Sequence, residues 1–204
     1  MKPVLLPFHK TIFQTDHGQA ITSDTAFVVE TILKRNFAKE LKVLELGSGN
    51  GIISIMLAHY RPNWQITGIE IQQELVELSR SNAELSEVKT TFLQADLKEF
   101  QTSEKFDLII SNPPYFAKKE GRISPIKERA ISRHEICCTM NDVFCCLKRN
   151  LKINGKAFLI YPTLRWKECE KNAKIVDLII ADKIIMPLEE QKERMMMELV
   201  HAEY

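Results

Sequence analysis

A short apolar run, Lys42-Val43-Leu44-Glu45-Leu46, passes directly into Gly47-Ser48-Gly49-Asn50-Gly51 and then into the helical pattern Ile52-Ile53-Ser54-Ile55-Met56-Leu57-Ala58. Strand, glycine loop and helix in this order restrict the chain to an α/β architecture with a nucleotide-type site, because glycines let the backbone approach a ligand closely. The next predicted strand, Gln65-Ile66-Thr67-Gly68-Ile69, ends in Glu70 followed by Ile71. A carboxylate about 20 residues beyond such glycines is placed to grip a ribose diol, accepting from both hydroxyls. A third strand, Thr91 to Ala95, ends in Asp96 and Leu97, and a fourth, Phe106 to Ser111, ends in Asn112. Four consecutive strand ends therefore carry ligand-type groups, at the sheet edge where open α/β sheets bind their ligands.

The fourth strand end is the most specific. Asn112-Pro113-Pro114-Tyr115 combines an amide, two imino acids of fixed φ and no N–H, and an aromatic ring. The Asn112 side chain and the Pro113 carbonyl are available as acceptors, and Tyr115 offers a stacking face. Acceptors beside a π surface suit a planar group bearing an NH2. Taken alone the tetrapeptide also fits a proline turn after a strand. The glycine spacing adds weight to a ligand role. A dinucleotide fingerprint places glycines first, third and sixth, whereas here they fall first, third and fifth, and the sixth residue from Gly47 is Ile52. With Glu45 ahead of it, this loop looks like the S-adenosylmethionine loop of class I methyltransferases. A nicotinamide dinucleotide would leave Asn112 to Tyr115 unexplained.

The two motifs together resemble the amino-group methyltransferases that act on adenine N6, cytosine N4 or the glutamine amide. Within that group the chain looks most like the bacterial family that methylates adenine N6 beside the anticodon of valine tRNA. Residues 10 to 200 carry this resemblance. Ser23-Asp24 resembles a Thr-Asp segment of that family, with Ser departing from Thr, and Arg133-His134-Glu135 resembles an Arg-His-Glu segment. The resemblance implies a Rossmann-like, doubly wound class I methyltransferase sheet of seven strands, mostly parallel with an antiparallel last strand. It also implies S-adenosylmethionine as cofactor. The methionine end would lie near Gly47, Ser48, Gly49 and Gly51, the ribose at Glu70 and the adenine beside Asp96 and Leu97, with Glu45, Ile71 and Asn112 also among the cofactor-binding residues. Asn112, Pro113, Pro114 and Tyr115 would form the catalytic motif, and no metal would be required.

A chain of 204 residues with 45% hydrophobic content suffices for one substantial core, and no linker or repeat divides it. A single methyltransferase domain over 1–204 is expected, with residues 1–40 covering substrate and cofactor. Further elements read as helices over Gln72 to Leu85, Asn141 to Leu151 and Leu164 to Ile180, and as strands over Gly155 to Tyr161, Ile184 to Leu188 and Arg194 to Val200. Asn154-Gly155 reads as a left-handed helix cap. The polar residues of Gln72 to Leu85 read as a solvated face. Nowhere do 18 apolar residues run together and Met1 to Phe8 is no signal segment, so a cytoplasmic protein without a membrane partner is expected. Cys137, Cys138, Cys145, Cys146 and Cys169 have no C-x-x-C spacing and read as reduced packing residues.

Overall charge is near balance, with 28 Lys and Arg against 27 Asp and Glu. Locally, Lys118, Lys119, Arg122, Lys127, Arg129 and Arg133 stand against Glu120 and Glu128, an excess of four positive charges just past Tyr115. These six are candidate RNA contacts, with Tyr115 as the base contact, and tRNA is the expected partner. A solvated loop with scattered charge is the alternative for this segment. Two other functions stay open. Glutamine-amide methylation of a protein such as a release factor needs the same acceptors, although only 46 residues precede Gly47, fewer than the helical substrate domain such enzymes usually carry. A noncatalytic donor-binding factor that assembles with RNA is the other, against which an intact Asn112 and Tyr115 weigh. His134 and Glu135 read as structural hydrogen-bonding groups or a proton relay. No feature sets the oligomeric state.

Overall fold

A computed structural model describes residues 1–16, 23–116, 124–186 and 193–202. The chain opens with a hairpin, β1 (Lys2–Leu5) and β2 (Thr11–Gln14), and a helix, α1 (Ser23–Lys34). It then alternates: β3 (Lys42–Leu46), α2 (Ile52–Tyr60), β4 (Gln65–Glu70), α3 (Gln73–Leu85), β5 (Thr90–Gln94) and β6 (Phe106–Ser111). Helices α4 (Lys127–Arg133) and α5 (Met140–Asn150), strand β7 (Leu151–Pro162), helix α6 (Trp166–Ile175) and strands β8 (Leu178–Met186) and β9 (Arg194–His201) complete it. The sheet order is β5-β4-β3-β6-β7-β9-β8. All pairings from β5 to β7 are parallel, and β9 runs antiparallel to both β7 and β8. The expected antiparallel last strand is thus present, inserted between β7 and the edge strand β8.

The central strands are apolar on both faces because both faces are covered. Val43, Leu108 and Ile110 pack with α1, α2 and the hairpin, while Leu44, Leu46 and Ile109 pack with α5 and α6. Fully burying one such aliphatic side chain contributes about 1.5–3 kcal/mol. Helix α2 is buried at every residue from Ile52 to Ala58, since sheet, α1 and α3 enclose it. Helix α5 begins with a reciprocal capping box between Thr139 and Asp142. Because β3 feeds a crossover on one side and β6 lies on its other flank, the strand order reverses between them, and the carboxyl ends of β3 and β6 open a crevice there.

Several expectations change. The helix over Asn141 to Leu151 stops at Asn150, whose Nδ2 donates to the Cys146 and Phe100 carbonyls, and Leu151 is already extended. Neither Asn154 nor Gly155 adopts a left-handed φ; both lie within β7, in a register excursion that lets Lys156 pair with Leu108 after Leu151 has paired with Phe106. Helix α6 ends at Ile175, and Asp177, at φ 52°, turns the chain into β8 from Leu178. A run such as Leu178-Ile179-Ile180 has no periodicity that separates helix from strand. Pro187 and Leu188 lie outside the described residues. The hairpin was not anticipated, and Lys127 to Arg133 is a helix. On α3, Ser79 and Asn82 are fully buried rather than solvated. Asn82 accepts from the Phe13 N–H (2.8 Å) and donates to the Phe13 and Asn50 carbonyls (2.9 Å each), pinning β2 to the glycine loop. No described helix is long and apolar enough to cross a membrane.

Gly68 shows how tightly the site's underside is built. A Cβ there would lie 2.7 Å from Phe92 Cδ1 and 2.8 Å from Ser48 Cβ. Gly68→Ala is expected to lower stability by about 1–3 kcal/mol through overpacking. Denaturant melts should show the midpoint falling with an unchanged slope.

Candidate active site

The glycine loop leaves β3 with Gly47 at φ 71° and Gly49 at φ 55°, a region that favours glycine. A Cβ at either would meet nothing within 4 Å, so the space above them is open to a ligand. Both N–H groups of Gly47 and Ser48 are taken by the Ile69 carbonyl (2.9 and 3.0 Å), which fixes the loop against β4. Ser48 is 4% exposed, and its Oγ is buried with no partner among the described residues. An orphaned hydroxyl in a loop this open is a ready donor to a bound polar group.

Glu70, at the end of β4, accepts from the N–H groups of Gly49 (3.1 Å) and Gln72 (3.0 Å). Burial raises its pKa above the ordinary carboxylate value, against the lowering effect of those bonds. Glu45 accepts from the Ser54 N–H (3.1 Å) and the Ser54 hydroxyl beneath the loop. Burial pushes its pKa up to about 8, with Glu70 a lesser contributor. Between the unfolded value and about 8, the folded state therefore holds a proton the unfolded chain has lost, and stability falls as pH rises. The slope approaches at most about 1.4 kcal/mol per pH unit. Thermal melts of Glu45→Gln should be flatter across that window; an unchanged pH profile would show that Glu45 does not titrate this way.

Two cavities meet at the crevice. One, about 120 Å³, is lined by Glu70, Ile71, Asp96, Leu97, Ala95 and Pro114. The other, about 380 Å³, is lined by Asp24, Glu45, Ser48, Tyr115, Phe116 and Arg194. Gly47, Gly49, Asn112 and Pro113 line both, so the amide of Asn112 stands at the junction. Gly51 lines neither; it adjoins Phe92 and Ser79 beneath the loop. Asp96 Oδ1 accepts from the Lys98 N–H (2.9 Å), and its other oxygen lies 3.2 Å from Lys98 Nζ.

Tyr115 is held at its hydroxyl, at its carbonyl and over one ring face. Its hydroxyl lies 2.9 Å from Asp24 Oδ2 and also contacts Asn112 Oδ1. The Arg194 guanidinium lies 4.6 Å from its ring centroid, and Arg194 Nε is 3.6 Å from Asp24 Oδ2. The Tyr115 carbonyl accepts from Arg165 (3.1 Å), which also pairs with Glu135 and Glu168. Desolvation first, and then the Asp24 charge, hold the phenol well above its ordinary pKa, so it remains a hydroxyl. One ring face is therefore already covered by a cation. His134 is buried with its ring 5.5 Å from that of Phe116, and the Glu135 N–H donates to the Phe116 carbonyl (2.8 Å).

Of the basic residues, Arg133 lines the larger cavity, whereas Lys127 and Arg129 line neither. Lys118, Lys119 and Arg122 lie outside the described residues. Cys137 and Cys138 line the smaller cavity rather than only filling space, and all five cysteines are free. Arg194 and Arg165 were not anticipated. They enter from β9 and the turn before α6, and no local pattern marks them.

An open glycine cradle, an orphaned serine hydroxyl, a buried carboxylate at the second strand end and an amide at the junction fit S-adenosylmethionine. Fold and crevice together define the class of S-adenosylmethionine-dependent methyltransferases. The chain belongs to the methyltransferase small domain family, whose model matches residues 11–134. It is 32% identical over 143 residues to a tRNA1(Val) (adenine(37)-N6)-methyltransferase of Porphyromonas gingivalis, covering 67% of this chain and 55% of that protein. It is 39% identical over 97 residues to a release factor glutamine methyltransferase of Lactococcus lactis, covering 48% of this chain and 36% of that protein. The chain thus spans about half or less of these relatives' lengths. In fold it is similar to the Pyrococcus abyssi tRNA (uracil-54, C5)-methyltransferase solved with S-adenosyl-L-homocysteine, with TM-score 0.66 and 17% identity over 94% of this chain and 42% of that one.

Proposed function

We propose that this chain transfers a methyl group from S-adenosylmethionine to the exocyclic N6 amine of adenine in tRNA, in the anticodon loop. The observation that carries this reading is the rim of the larger cavity. Phe116, 36% exposed, stands next to Tyr115 with the Arg133 guanidinium 5.6 Å from its ring centroid. An exposed ring paired with a cation, beside an NH2-accepting amide, suits a nucleobase and its phosphate. The tRNA-modifying relative supports the same choice, since the likeness to it runs through two thirds of the chain.

The chemistry follows from a poor nucleophile. The adenine N6 lone pair is delocalised into the ring, and the donor, when bound, supplies a methyl made electrophilic by its sulfonium. What falls to the chain is orientation and polarisation. Asn112 and the Pro113 carbonyl accept the two amine hydrogens, favouring a more tetrahedral nitrogen whose lone pair points toward the donor. Tyr115 and Phe116 hold the base. Such stacking is worth about 1–3 kcal/mol per base.

A glutamine amide presents the same two hydrogens, and the relative from Lactococcus lactis is named for that substrate. The discriminating experiment offers purified protein unmodified tRNA and a release factor in parallel, with mass spectrometry of nucleosides and peptides. Methyladenosine in tRNA is expected, and methylation of the release factor alone would move the substrate to the carboxamide. Arg133→Glu should raise KM for RNA and reduce its salt dependence. An unchanged salt slope would remove Arg133 from the RNA contact.

A further inference from the structure

The hydroxyl of Tyr115 touches two acceptors, Asp24 Oδ2 at 2.9 Å and Asn112 Oδ1, yet a phenol has one proton. An ionised carboxylate has none to contribute and is the stronger acceptor. If the proton goes to Asp24, two oxygens, those of Tyr115 and Asn112, face each other with nothing between them. Meanwhile Asn112 Nδ2, with two protons, donates to no described residue. A half-turn of the amide resolves both. Nδ2 then donates to the Tyr115 hydroxyl, and Oδ1 turns from Tyr115 toward the junction of the two cavities.

We infer that Asp24 and Tyr115 are positioning residues that set the direction of the Asn112 amide: Nδ2 donates to the Tyr115 hydroxyl, that hydroxyl donates to Asp24, and Oδ1 faces the substrate's amino group. This rests on the amino-group chemistry proposed above. Asp24 suits the task because its carboxylate only accepts, so it fixes which way every hydrogen bond in the chain points. Its side chain is 10% exposed, and Arg194, beside it and over the Tyr115 ring, supplies the countercharge. The arrangement gives a role to the Ser23-Asp24 segment, far from Asn112 in sequence and brought to it by the first turn of α1.

The test has a spectroscopic and a kinetic arm. In protein labelled with 15N in its asparagine side chains, the Asn112 NH2 pair is assigned by its absence in Asn112→Asp. Tyr115→Phe, which removes only the hydroxyl, should shift one proton of that pair and speed its exchange. A pair unmoved in this variant, with the backbone amide spectrum intact, overturns the inference. In turnover on an NH2-bearing acceptor, Tyr115→Phe and Asp24→Asn should each lower kcat by about 10–100-fold, with KM for acceptor little changed. Asparagine at 24 donates as well as accepts and so releases the direction of the chain. The double variant should be no slower than the slower single one, because both break one hydrogen-bonded chain. Full kcat in Tyr115→Phe, or additive losses, overturns the inference. A wild-type protein that methylates no NH2 acceptor would instead remove the proposed reaction, and the Asn112 spectrum would still decide the amide's direction. Tyr115→Phe carries both arms should Asp24→Asn not fold.

Discussion

Asn112→Ala is expected to abolish most methyl transfer, a loss on the order of 10²–10³-fold in single-turnover rate, as when one preorganised polar contact to a reacting group is removed. The side chain is only half-buried, so the fold should survive its truncation. It lines both cavities at their junction, where the proposed reaction would place the attacking nitrogen. The effect should fall on turnover more than on donor affinity, because the lost acceptor acts on the reacting amine. Rapid-quench measurement of labelled methyl transfer separates the two. A variant with full single-turnover rate would remove Asn112 from the chemistry and leave the crevice without an explained acceptor.

Glu70→Ala should weaken S-adenosylmethionine binding by about 1–3 kcal/mol, from a bidentate acceptor lost to two ribose hydroxyls. The structure adds a second cost, because the same carboxylate holds the Gly49 N–H and so shapes the glycine loop. Calorimetry should therefore show weaker binding, and thermal melts without ligand should show a lower midpoint. Unchanged affinity would take Glu70 out of the donor site, whatever the melt shows.

The crevice was legible where its parts are contiguous in sequence. Gly47 to Gly51, Glu70, Asp96 and Asn112 to Tyr115 each sit at the end of an apolar run, and parallel pairing brings such ends to one edge. What encloses the crevice was not legible. Arg194 lines it from the last strand and Arg165 braces the Tyr115 carbonyl from a turn, each ordinary in its own local pattern, while Asp24, marked only as half of a Ser-Asp segment, reaches it from a helix start. Asn82 looked like one more polar residue on a solvated helix, because nothing nearby shows that β2 would cover it. The Asn154-Gly155 cap failed for a related reason. Its left-handed signal is real in isolation, but the Asn150 side chain had already ended the helix.

The three hydrogen bonds of Asn82 also bear on where this chain could be cut. One side-chain amide serves the main chain of Phe13 as both donor and acceptor and also holds the Asn50 carbonyl in the donor loop. A fragment begun at residue 40 would keep every residue of the donor loop yet leave that amide facing a space it was built to fill. Exchanging such bonds for water costs about 0.5–1.5 kcal/mol for each hydrogen bond. The hairpin thus braces the glycine loop through Asn82, and a piece meant to keep the loop's shape is expected to need Phe13.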